Sequence, residues 1–185
     1  MNVTVFGSAR VDGESKEYQD ARDLGGLLAK RGHTIVSGGY GGVMEAVSRG
    51  AREAGGRVLG VTVAAWSQRL SPNIYLHEER PAATLFERLE ALVESDALIA
   101  LPGGAGTLGE VALAWNLRQM QLMPPKLIIL VGVGWHRLVD AFSRELIVDE
   151  RDLALLTLVE NIQEAVAALT SKASQTDRLS ASESP

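Results

Sequence analysis

Ala97-Leu98-Ile99-Ala100-Leu101-Pro102-Gly103-Gly104-Ala105-Gly106-Thr107-Leu108-Gly109-Glu110 is the stretch whose reading decides the fold. Its apolar head, Ala97 to Ala100, reads as a buried parallel strand. The segment beyond it, Val111-Ala112-Leu113-Ala114-Trp115, reads as a helix. A glycine-rich turn between a strand and a helix lets backbone N–H groups approach an anion, and the helix N-terminus adds a favourable dipole. The same turn delivers the Glu110 carboxylate, placed by this reading within the first helical turn. A phosphate grip with one placed acid outlines a nucleotide-processing site.

Outward from this turn, apolar strands alternate with helical patterns. Strands are predicted over 3–6, 33–37, 57–63, 74–76, 96–101, 127–131 and 155–159. Helices are predicted over 16–31, 43–54, 84–94, 107–122, 135–146 and 161–171. Such alternation implies an α/β fold, a Rossmann-like doubly wound parallel sheet with helices on both faces, in a single domain over 1–171. Ligands in such sheets sit beyond the carboxyl ends of the strands. The Ser-rich segment 172–185 lacks apolar spacing and reads as a disordered tail.

The 185 residues suffice for one sizeable core, and 46% hydrophobic with 22% charged residues is ordinary for a globular protein. A net charge of −5 offers no basic face for nucleic acid. Among the 18 basic residues only Lys16, Lys30, Lys126 and Lys172 are lysines, a bias toward planar, bidentate anion contacts. The absence of cysteine excludes disulfides, thiolate metal sites and cysteine nucleophiles. Neither a leader pattern nor an apolar run of membrane-spanning length is present, so a cytoplasmic protein with no membrane contact is expected.

Three strand ends carry unusual residues: Gly7-Ser8-Ala9-Arg10, Ser37-Gly38-Gly39-Tyr40-Gly41-Gly42, and the Pro102-Gly103-Gly104 turn. Two glycine turns that each open into a helix can line one crevice from two sides. The match of Gly104 to Gly109 to G-x-G-x-x-G lacks an acid about 20 residues later, since no Asp or Glu occurs from Val111 to Val139. That rejects a nicotinamide or flavin enzyme. Thr107 and Glu110 also have the spacing of a capping box, a purely structural alternative; in the functional one, proximity to the helix N-terminus keeps Glu110 ionised. Arg88 shares the apolar stripe of its helix and has no acid within reach on that helix, so it needs a partner from elsewhere. Alternatively it snorkels, with its stem packed and its head in water. Of three scattered histidines, His77 is expected closest to the crevice. Trp66, Trp115 and Trp135 read as core, and Tyr40 as a residue lining a ligand.

With both glycine loops and Glu110 in view, the chain resembles the LOG family, cytokinin-activating nucleoside 5′-monophosphate phosphoribohydrolases long mislabelled as lysine decarboxylases. Pro102 to Glu110 reproduces every fixed position of Pro-Gly-Gly-x-Gly-Thr-x-x-Glu. Val5-Phe6-Gly7-Ser8, Gly38 to Met44, Gly60-Val61 and Ser95-Asp96-Ala97 look similar as well. The resemblance implies a Rossmann-like domain, usually dimeric, and an Arg–Glu catalytic pair. Glu110 is the acid; Arg88 is preferred as the arginine, with Arg80 in His77-Glu78-Glu79-Arg80 as the alternative. It further implies that Gly103, Gly104, Gly106 and Thr107 bind the 5′-phosphate, that Gly38, Gly39, Gly41, Gly42 and Met44 cover the sugar or base, and that Gly7 and Ser8 also bind the nucleotide. The expected reaction hydrolyses the N-glycosidic bond of AMP or an N6-substituted AMP to free base and ribose 5-phosphate, with no cofactor and no metal. The competing reading is a non-catalytic nucleotide or molybdenum-cofactor carrier on the same fold. A decarboxylase would need pyridoxal phosphate on a lysine, and Lys126, the only lysine near the sheet, begins a strand at the wrong end.

Overall fold

A computed structural model describes residues 1–171; the tail predicted over 172–185 lies outside the described residues. The strands are β1 (Asn2–Phe6), β2 (Thr34–Ser37), β3 (Val58–Val63), β4 (Glu78–Ala82), β5 (Ala97–Ala100), β6 (Leu127–Val131) and β7 (Leu156–Val159). Between and after them run α1 (Lys16–Ala29), α2 (Val43–Glu53), α3 (Leu85–Val93), α4 (Ala105–Gln119), α5 (Val133–Glu145), α6 (Glu150–Leu153) and α7 over 162–171. All seven strands are parallel, in the order β4-β3-β2-β1-β5-β6-β7. This is the Rossmann-like, doubly wound sheet that the alternation predicts.

The chain winds outward from β1 in one direction through β2 and β3, then restarts on the other side of β1 with β5. The β1–β5 pair, in register from Val3 opposite Ala97 to Phe6 opposite Ala100, is therefore the switch point where a crevice opens. Side chains alternate across each strand. Val3, Val5 and Ile99 join Leu24, Leu28 and Val47 under α1, α2 and α7. Phe6, Leu98 and Ala100 join Leu92, Val111 and Trp135 under α3, α4 and α5. No helix among the described residues is long and apolar enough to cross a membrane.

Three departures from the sequence reading have a physical reason. Residues 74–76 form no strand; Ile74 is 83% exposed in a turn, and the strand lies later, at Glu78–Ala82. β4 is the sheet edge, so Glu78, Glu79, Arg80 and Pro81 face solvent and carry no apolar pattern; Pro is tolerated there because an edge strand can spare its N–H. The one-turn α6, opened by Asp149, is too short to show a period. Finally, α4 begins at Ala105 with Gly104 as its cap, two residues earlier than the spacing predicts.

Candidate active site

At the carboxyl ends of β1, β2 and β5 lies a cleft of about 390 Å³. The two glycine loops meet there because backbone hydrogen bonds tie them to the end of β1. Ser8 N donates to Pro102 O at 3.3 Å, and Val43 N to Ser8 O at 2.9 Å. Gly42 must be glycine: its φ is +67°, and a Cβ would fall 2.4 Å from Ser8 O. Of the residues singled out in sequence, Gly7, Gly38, Gly41, Met44, Arg88, Gly104, Gly106, Thr107 and Glu110 line the cleft. Ser8, Gly39, Gly42 and Gly103 are not among the lining residues. At Gly41, Gly104 and Gly106 an added Cβ would meet nothing within 4 Å, so open space adjoins the backbone there.

Arg88 and Glu110 face each other across this space. Thr84 caps α3 by accepting from Glu87 N at 3.1 Å, which sets the helix phase and turns Arg88 inward to 6% exposure. Its Nε donates to Val61 O at 2.9 Å, and Nη2 lies 3.8 Å from Met44 Sδ. Nη1 is 3.5 Å from Glu110 Oε1, and the guanidinium carbon is 6.0 Å from the ring centres of both Tyr40 and Trp66. A Cβ at position 38 would lie 1.8 Å from Nη2, so Gly38 supplies the room the guanidinium occupies. Arg80, the alternative arginine, is on β4 with its side chain 58% exposed and 3.8 Å from Glu94.

Two expectations for Glu110 are corrected. Because α4 starts at Ala105, Thr107 is its third residue rather than its cap, and no capping box forms. Glu110 is the sixth residue, in the second turn, where the helix dipole has faded. Burial instead dominates and pushes its carboxyl up to about 7, against the lowering influence of Arg88. Burial also lowers the Arg88 value while Glu110 raises it, and the guanidinium stays charged.

His77 is not at the crevice. Its Nδ1 accepts from Val58 N at 3.2 Å, at the amino end of β3, because β4 runs parallel to β3 and the chain must return to that end to enter it. Trp66 is not core; it lines the cleft beside Tyr40, with ring centres 5.9 Å apart. Sequence reasoning missed Trp66 and Leu70 because neither sits in a periodic segment. The signal was their place just after a strand end, where ligands gather. Lys126 is buried at the amino end of β6, with Nζ donating to Val93 O at 2.8 Å and Ser95 O at 2.5 Å. No cluster of three His, Cys, Asp or Glu side chains among the described residues could share a metal ion.

A doubly wound sheet with a buried Arg–Glu pair at its switch point is the context for the similarities to known proteins. The chain belongs to the SLOG cluster4 family, whose model matches residues 1–166. A cytokinin riboside 5′-monophosphate phosphoribohydrolase of Mycobacterium tuberculosis is 30% identical over 154 residues, covering 80% of this chain and 82% of that protein. An uncharacterized protein of Archaeoglobus fulgidus is 35% identical over 132 residues, covering 69% and 83%. Among solved structures, the molybdenum cofactor carrier protein of Chlamydomonas reinhardtii superposes with a TM-score of 0.72 at 24% identity, covering 92% of this chain and 96% of that one. That likeness is one of fold.

Proposed function

We propose that the protein is a nucleoside 5′-monophosphate phosphoribohydrolase. Relatives named for that activity support a hydrolase of this kind. The observation that carries the reading is Glu110, 13% exposed in its side chain and 3.5 Å from Arg88, within a cleft headed by the N-terminus of α4. The 5′-phosphate would accept from backbone N–H groups at Gly104 to Thr107, where missing side chains leave the backbone open to an anion. The ribose then lies over Glu110 and Arg88. The N-glycosidic bond breaks with its electron pair on the base nitrogen, which takes a proton from solvent, and the sugar is left with positive charge. An ionised Glu110 opposite that charge stabilises it and takes a proton from the water whose oxygen adds to the ribose carbon. Arg88 holds the carboxylate in place, and electrostatic placement of this kind is the main contribution such a site can make.

Incubation with AMP and with N6-substituted AMP should release free base and ribose 5-phosphate in equal amounts, measured by chromatography. Tight binding without release would support a carrier instead. A lysine decarboxylase is disfavoured because no lysine among the described residues lines the cleft and Lys126 is committed to carbonyls at the opposite end of the sheet. The homodimer and the single-domain extent over 1–171 belong to this proposal too. Phe86, 83% exposed, and Leu122, 65% exposed, border an apolar groove between α3 and α4 that a second copy would cover. Sedimentation equilibrium gives the mass that decides it.

A further inference from the structure

We propose that Trp66 is the platform on which the nucleobase stacks, and that the site reads a base by its face rather than its edge. This rests on the nucleotide reading above. The order of groups along the cleft sets the direction. Gly104 and Gly106 lie at one end, Glu110 follows one turn along α4, Arg88 is 3.5 Å from that acid, and both aromatic rings are 6.0 Å from Arg88. A nucleotide with its phosphate on α4 and its sugar on the ion pair therefore extends its base toward Tyr40 and Trp66.

Trp66 is held there by structure. It closes a short 3-10 turn, Ala64–Trp66, at the start of an excursion between β3 and β4. That excursion is pinned to the second glycine loop at two points. Val63 N donates to the Tyr40 hydroxyl at 2.8 Å, and Asn73 N donates to Gly39 O at 2.8 Å. Within it, Arg69 N and Leu70 N both donate to Trp66 O, at 2.8 and 2.9 Å, and close a turn directly after the indole. The tyrosine ring is tilted 43° to the indole rather than stacked on it.

The chemistry of this end is apolar. Its other side chains are Met44 and Leu70, and the Tyr40 hydroxyl is engaged by Val63. Beyond Arg88 and Glu110, which this reading gives to the sugar, no Asp, Asn, Gln or Lys side chain among the described residues lines the cleft to pair with the donors and acceptors of one particular base. Stacking on an aromatic ring is tolerant, because every base has a π face. The site accordingly takes nucleoside monophosphates with little regard to the base, including those that carry apolar substituents.

Calorimetric titration of the full chain with AMP, GMP, CMP and ribose 5-phosphate tests this, using wild type, Trp66→Ala and Trp66→Phe. Wild type should bind the three nucleotides within about tenfold of one another. Trp66→Ala should weaken each by about tenfold or more, the size of one lost stacking contact. It should leave ribose 5-phosphate unchanged, and Trp66→Phe should recover most of the loss. Equal weakening of ribose 5-phosphate, or AMP bound about a hundredfold tighter than GMP and CMP, overturns the inference. If the expected pattern holds while no base is released, the inference stands and the hydrolase reading fails. Base release from AMP with nucleotide affinity indifferent to Trp66→Ala gives the reverse. No nucleotide binding to wild type overturns both.

Discussion

Arg88, borne by α3, and Lys126, set against the end of that helix, are two buried cations, one toward each end of the sheet. Lys126 sets its ammonium on the carbonyls of Val93 and Ser95, just where α3 leaves its last oxygens without partners. Arg88 has five N–H donors, of which Nε reaches Val61 O; its other contacts are a thioether at 3.8 Å and a carboxylate at 3.5 Å. Both groups are desolvated, and burial lowers the pKa of both. The difference lies in what holds them: the lysine gives two of its three donors to backbone carbonyls and closes a helix, whereas the arginine gives one of five to a carbonyl and turns the others toward the cleft. A buried charge used mostly by its own fold serves stability, and one left largely unused is available to a ligand.

The largest effect that would sharpen this contrast is expected at the acid. Glu110→Gln should lower base release by about a thousandfold, the scale of losing a placed electrostatic partner, while the variant stays folded by circular dichroism. In wild type, release should climb as pH rises through about 7, because the carboxylate is the active form. A profile falling over that range would assign Glu110 the opposite role, that of proton donor. Next comes stability. The folded carboxyl titrates near 7 against an ordinary 4.5, so the proton favours the fold. That contribution is present below 4.5 and is lost as pH rises through 7. Denaturant titration should show wild type losing about 3 kcal/mol relative to Glu110→Gln across that window, at about 1.4 kcal/mol per unit. A constant difference would mean the acid is not desolvated.

Gly38→Ala places a methyl where the guanidinium tip lies and should displace Arg88. A shift of about 1 Å at such a group costs about a hundredfold in rate, read as kcat on AMP with the melting temperature held near wild type. The smallest effect falls on the other cation. Lys126→Met should cost about 2 kcal/mol by removing charged hydrogen bonds to two carbonyls, with turnover unchanged. Loss of turnover there would erase the distinction between the two residues.

How far the sequence revealed these features follows from what each owes to local pattern. The central strands were legible because a parallel strand covered on both faces is a plain apolar run, as Leu98-Ile99 and Ile128-Ile129-Leu130 show. β4 was not, since an edge strand of Glu78, Glu79, Arg80 and Pro81 owes its existence to pairing with β3. The Pro102–Glu110 signature located the acid, but a two-residue error in the start of α4 reversed its electrostatics from dipole-stabilised to burial-raised. Arg88 stood out as a cation in an apolar stripe with no acid on its own helix. Trp66 carried no such conflict, and only the closure of the excursion onto Gly39 and Tyr40 brings it to the cleft.

The incomplete set of partners around Arg88 has a practical consequence. A molecule that supplies the missing acceptors to the folded chain alone raises its resistance to heat, by about 2.7 kcal/mol at a hundredfold excess over its Kd. A collection of phosphorylated metabolites could therefore be ranked by melting shift before any reaction product is known, and Arg88→Lys, which keeps the charge but not the planar fork, would serve as the control whose shift should shrink.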